Sequence, residues 1–126
     1  MKHLILITIA LATIFTGCKK DIYGCTDSQA KNYDINANVN NNTCVYTGTV
    51  VFWQNTDQGK LTVTIDNQTK YTTVYYPKGL PECSNNSCAT FELTPGIYSY
   101  TVTNFQYQWT GNLKVDNNIC SKQLIY

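Results

Sequence analysis

The side chains able to do chemistry in this chain are cysteines, carboxylates and aromatics. The six cysteines are Cys18, Cys25, Cys44, Cys83, Cys88 and Cys120. A thiolate can ligate zinc or attack an electrophile, and paired thiols can oxidise to a disulfide. Nucleophilic Ser or Cys catalysis needs an imidazole partner, and the only histidine is His3. Beyond that position, Ser-His-Asp and Cys-His chemistry, His-containing zinc sites and histidine pH switching are excluded. There is no arginine, so planar bidentate recognition of phosphate or carboxylate is excluded too. Formal net charge is +1, which lacks the basic surplus of a nucleic-acid binder, and none is expected as a partner.

The carboxylates Asp57, Asp66, Glu82, Glu92 and Asp116 are scattered. A glycosidase needs two such groups facing each other across a cleft, and a chain this small is a poor source of one, so these acids read as solvated surface. A small carboxylate-dependent hydrolase remains the only enzymatic alternative. Asp34, Asn36, Asn38 and Asn40 alternate, as oxygen ligands do at the start of an EF-hand loop. The pattern stops there: Val39 stands where the turn glycine belongs and Val45 where the bidentate glutamate belongs. Asp34, Asn36 and Asn38 are the one metal set the sequence offers, for calcium, with an Asn-rich loop as the plainer reading. No cofactor is expected. Ten tyrosines and two tryptophans are many for 126 residues. Tyr71, Tyr75, Tyr76, Tyr107 and Trp109 fall in strand-like regions, and both faces of "YTTVYY" carry rings. Exposed rings of this kind stack on sugars or anchor a protein partner. Tyr75, Tyr76, Trp109 and Trp53 are the candidate ligand-binding residues, the possible ligand being a glycan or a protein.

The N-terminus supplies the compartment. Lys2 and His3 precede Leu4 to Phe15, an apolar run broken only by Thr8 and Thr13. A bilayer-spanning helix needs about 20 apolar residues; this run has the size of a signal-peptide core. Phe15-Thr16-Gly17-Cys18 resembles the lipobox of bacterial lipoproteins, with Phe where Leu is usual. The resemblance implies cleavage before Cys18, acylation of Cys18 and a membrane partnership through that lipid anchor. Residues 1–17 are then signal, and residues 18–23 a polar tether. Lys19-Lys20-Asp21 is similar to the export signals of Bacteroidetes surface lipoproteins, which implies an outer-membrane anchor with possible surface exposure.

Residues 24–46, "GCTDSQAKNYDINANVNNNTCVY", resemble a short cysteine-bounded module of secreted and surface proteins of Bacteroidetes. Gly24-Cys25-Thr26-Asp27, Ala30, Asn32-Tyr33, Ala37, Cys44 and Tyr46 carry the likeness, which implies a Cys25–Cys44 disulfide. The segment has few apolar residues of its own and needs such a staple. Closing a loop of about 20 residues stabilises by about 3 kcal/mol in the chain-entropy account. Asp27 or Ser28 is placed to cap one helical turn.

Residues 47–126 read as seven short strands: 49–54, 60–66, 70–77, 89–93, 97–103, 107–116 and 119–126. "KLTVTID" shows the period-two alternation of a half-buried strand, and no segment shows a 3.6 period. Seven strands at roughly ten-residue spacing predict an all-β fold, a small antiparallel β-sandwich with a disulfide-closed irregular segment ahead of it. "FELTPGIYSYTV" resembles a recurrent hairpin of prealbumin-like sandwich domains. Pro95-Gly96 would turn the chain with a positive dihedral at Gly96, and Tyr98 would return its hydroxyl to loop backbone as in a tyrosine corner.

With Cys18 acylated and Cys25 bound to Cys44, three thiols remain: Cys83, Cys88 and Cys120. One must be left over. Cys83–Cys88, Cys83–Cys120 and Cys88–Cys120 are all open. The longer closures restrict the unfolded chain more, which favours Cys83–Cys120, and an oxidising compartment favours a disulfide over zinc. The expected function is a lipid-anchored envelope protein with a non-catalytic binding or structural role. A carbohydrate-binding accessory domain is the alternative.

Overall fold

The computed structural model describes Gly17 and residues 19–125. The rest of the expected signal segment and Cys18, the expected lipidation site, lie outside the described residues. The fold is all-β, as the alternation predicts. Its nine strands are β1 (Tyr23–Gly24), β2 (Val39–Asn40), β3 (Gly48–Gln54), β4 (Leu61–Ile65), β5 (Gln68–Thr72), β6 (Ala89–Leu93), β7 (Gly96–Thr103), β8 (Gln108–Val115) and β9 (Cys120–Ile125). Strands β3 to β9 correspond one for one to the seven expected. They form two packed sheets, ordered β6-β3-β9 and β5-β4-β7-β8. Every pairing within them is antiparallel except β3 with β9.

Between the sheets lies one apolar core. Val50 and Phe52 of β3, Leu61, Val63 and Ile65 of β4, Phe91 of β6 and Val102 of β7 are all essentially buried. On β4 and β6 they alternate with polar residues, as a strand with one buried face requires. Phe52 is central. Its ring meets Phe91 at 5.8 Å and Tyr100 at 4.9 Å, both edge-on, the geometry ring quadrupoles favour. Tyr100 also lies over Gly111, its register partner on β8. A Cβ at Gly111 would sit 2.5 Å from the Tyr100 ring, so the missing side chain is what lets the ring lie flat on β8.

Strand β3 is buried on both faces. Its outward residues Val51 and Trp53 sit under residues 73–88, the long connection from β5 to β6, together with Cys88, Tyr76, Cys120 and Leu124. This second small core explains why "VVFW" shows no alternation. The connection is tied down at two points. Tyr76 N donates to Gln54 O at 2.8 Å and Cys83 is disulfide-bonded to Cys120, while Thr73 N donates to Ser87 O at 3.4 Å within the connection.

Two expectations about strand boundaries are corrected. The strand placed at 70–77 is Gln68–Thr72, because the chain leaves the sheet to cross the second core. The "FELTPG" segment is not a hairpin. Strand β6 belongs to one sheet and β7 to the other, so Thr94-Pro95 carries the chain between layers, and Gly96 is outside the positive-φ glycines, Gly59 and Gly79. The tyrosine corner is present: Tyr98 Oη donates to Thr94 O at 2.9 Å.

The N-terminal segment is closed by the Cys25–Cys44 disulfide. The short strands β1 and β2 pair in parallel. Asp27 opens a single turn, its Oδ1 accepting from Gln29 N at 2.9 Å, without continuing into helix. Tyr46 Oη donates to Asp27 Oδ2 at 2.6 Å, which holds the carboxyl below its usual range and the phenol above its own. The segment docks on the end of the sandwich where β3 begins. Lys31 pairs with Glu92, which also accepts from Thr47 Oγ1 at 3.0 Å, and Asn118 Nδ2 donates to Gln29 O at 2.8 Å. Asn118 holds a positive φ of 55°, a conformation asparagine tolerates well.

Candidate functional site

The four aromatic candidates do not form one platform. Trp53 is 7% exposed, and its buried Nε1 has no hydrogen-bond partner. Tyr76 lies beside it, half-buried, and accepts a hydrogen bond from Asn85 Nδ2. Burial, with Cys88 close by, raises its phenol. Both belong to the second core and are corrected from ligand-binding to packing residues. The physical reason is the covering connection 73–88, which alternation within β3 could not announce. Tyr75 is 47% exposed on the outside of that connection. Trp109 is on β8, an edge strand of the other sheet, at the opposite edge from Tyr71 on β5.

Trp109 does belong to a site. The loop Asn55–Lys60 and the β7–β8 turn, residues 104–107, meet at the end of the sandwich remote from the N-terminal segment. Between them lies a groove of about 540 Å³ lined by Asp57, Gln58, Asn104, Phe105, Tyr107 and Trp109, with Gly59 and Gln106. Phe105 is 85% exposed and Tyr107 62%. The Tyr107 and Trp109 rings lie 6.0 Å apart, tilted by 49°.

Polar side chains set this groove. Asn104 Oδ1 accepts from Gln106 N at 2.9 Å and Tyr107 N at 2.7 Å, which shapes the turn, and Asn104 Nδ2 donates to Gln58 O at 3.4 Å. Gln54, fully buried at the end of β3, accepts from Gln58 N at 3.2 Å and donates to Gly59 O at 3.0 Å. Asp57 Oδ1 accepts from Gly59 N at 3.0 Å. Phe105 falls in the gap between two expected strands and was not singled out from the sequence. Its signal is there in "NFQYQW", where rings alternate with amides across a turn.

A second groove of about 620 Å³ runs between the β5 edge and residues 83–92, lined by Lys70, Tyr71, Thr90 and Glu92 among others. Its charges are already engaged. Lys70 Nζ donates to Thr90 O, and Glu92 is held by Lys31 and Thr47, which keep its carboxyl below the usual range. Each groove contains a single carboxylate, so neither supplies the facing pair that hydrolysis of a glycosidic bond needs.

Of the calcium candidates Asp34, Asn36 and Asn38, the side chains of Asp34 and Asn38 are engaged in hydrogen bonds to backbone. Asp34 Oδ1 accepts from Asn36 N at 2.9 Å, and Asn38 Oδ1 accepts from Ile22 N at 2.8 Å while its Nδ2 donates to Lys20 O. The Asp34 oxygen caps a turn, and the Asn38 amide ties the loop back to residues 20–22. Among the described residues no group of three or more His, Cys, Asp or Glu side chains is placed to hold a metal ion. The cysteines resolve as Cys25–Cys44 and Cys83–Cys120, with Cys88 free and buried. No protein-family model, curated protein or solved structure matches this chain.

Proposed function

We propose that the protein is a lipid-anchored cell-envelope lipoprotein with a non-catalytic binding role. The anchor is Cys18, in the outer membrane of a Bacteroidetes-type envelope. One observation carries the binding role: the N-terminal segment packs on one end of the sandwich and the aromatic groove opens at the other. The N-terminal segment, with exposed Lys19 and Lys20 ahead of it, packs where β3 begins. Phe105 and Tyr107 lie beyond where β7 ends. Strand β7 has eight residues, about 26 Å at the usual strand rise, so the groove faces away from the anchoring end. Binding is preferred to catalysis because neither groove pairs two carboxylates, and His3 lies in the segment that processing would remove.

Intact mass of the protein expressed in a bacterium with lipoprotein processing tests this reading. Cleavage before Cys18 is expected, with an added mass of acyl chains that Cys18→Ala abolishes. A mature protein retaining Met1 to Gly17 would sink it.

A further inference from the structure

The groove at the free end has a composition that selects one class of ligand. We infer that it binds a neutral oligosaccharide, stacking sugar rings on Phe105, Tyr107 and Trp109 while Asp57, Gln58 and Gln106 bond the hydroxyls. This rests on the non-catalytic binding role proposed above and adds the ligand class.

Three observations lead there. The first is the pairing of rings with polar atoms. A pyranose presents polarised C–H bonds on its face, which suit the negative face of an aromatic ring. It presents hydroxyls at its edge, which suit amides and carboxylates able to accept and, for amides, donate. The three rings share one concavity with two glutamines and an aspartate. The second is charge. Asp57 is the one ionisable carboxylate lining the groove and no lysine lines it; the neighbouring Lys60 is turned onto the Tyr71 ring, 3.9 Å from its centroid. A phosphate, a uronate or a nucleic acid would meet repulsion with no cation to answer it. An aromatic tip made for a membrane surface carries lysines or arginines around it, and this one carries an acid. The third is shape and order. A concavity of about 540 Å³ is within the range of small-ligand sites, about 300–1,000 Å³, whereas a stable protein partner needs about 800 Å² of surface per side. Gln54 and Asn104 fix both loops before a ligand arrives, which lowers the ordering cost of binding.

The test uses the protein as cells make it, in detergent if it is acylated. It is titrated with hexasaccharides of β-1,4-glucose, β-1,4-mannose, β-1,4-xylose and α-1,4-glucose, with oligogalacturonate, and with phosphatidylglycerol vesicles. Amide NMR shifts and Trp109 fluorescence are the readouts. We expect saturable binding of at least one neutral hexasaccharide, with shifts confined to residues 55–60 and 104–110. The double variant Phe105→Ala, Tyr107→Ala should weaken it at least tenfold, as loss of central aromatic anchors does. Both rings are more than half exposed, so the variant should fold, and unchanged amide shifts of the core strands β3, β4 and β6 check that it does. The inference is overturned by no neutral binding up to about 10 mM, where affinity is under about 3 kcal/mol, by binding the double variant keeps, or by preferential binding of the galacturonate or the vesicles. Mass of the same preparation reports acylation separately, so loss of the anchor reading and loss of the sugar reading are told apart.

Discussion

Cys88 and Trp53 show how far residue type alone reaches. The leftover thiol among Cys83, Cys88 and Cys120 followed from counting, and the favoured Cys83–Cys120 pair is the one formed. What counting could not give is the environment: Cys88 is 4% exposed, and burial raises its thiol. A thiol kept protonated and out of solvent is a poor nucleophile. Ellman's reagent should therefore find no reactive thiol at Cys88 in the native protein and one after denaturation; rapid native labelling would contradict the structure. Trp53 and Tyr76 were legible as aromatics but not as buried ones. The cover of Trp53 is a connection 20 or more residues downstream that carries Tyr76 itself, and nothing local to either residue encodes the contact.

Strands were the most legible elements. "KLTVTID" and "ATFEL" fix their faces by alternation, and β4 and β6 bury the residues it assigns. Sheet membership was not legible, because Thr94-Pro95-Gly96 has the composition of a hairpin turn whether the chain turns back or crosses to the other layer. The pairing of β7 with β8 depends on a contact no pattern shows, the Tyr100 ring over Gly111. Gly111→Ala should destabilise by about 1–3 kcal/mol, the usual cost of overpacking. Adding Tyr100→Leu should recover part of it. Denaturant midpoints of the single and double variants measure both, and a neutral Gly111→Ala would show that the ring moves aside freely.

The whole molecule joins a cysteine-closed segment to a sandwich through few contacts, and Glu92 carries one of them, to Lys31, while Thr47 at the junction also donates to it. Its carboxyl is depressed by Lys31 and Thr47. The docking contribution is therefore fully present above the ordinary carboxylate pKa of the unfolded chain, and is lost as pH falls through the lower folded value. Both groups are about half exposed, so the effect belongs to the interface rather than to global stability. Protection factors of the amides of residues 25–46, each taken against the intrinsic exchange rate at the same pH, should fall with acid in the native protein, and Glu92→Gln should flatten that dependence. Protection that falls identically in the variant would assign the acid response elsewhere. Joining the two parts also bears on how the chain matures. Strand β3 takes its second neighbour from β9, the last strand in chain order, Thr49 lying beside Cys120. Until β9 arrives, the central strand of that sheet is half-paired, and Cys83 has only Cys88 nearby to oxidise with. Seating β9 is also what brings Cys120 to Cys83, so the strand that completes the sheet delivers the partner that leaves Cys88 as the free thiol.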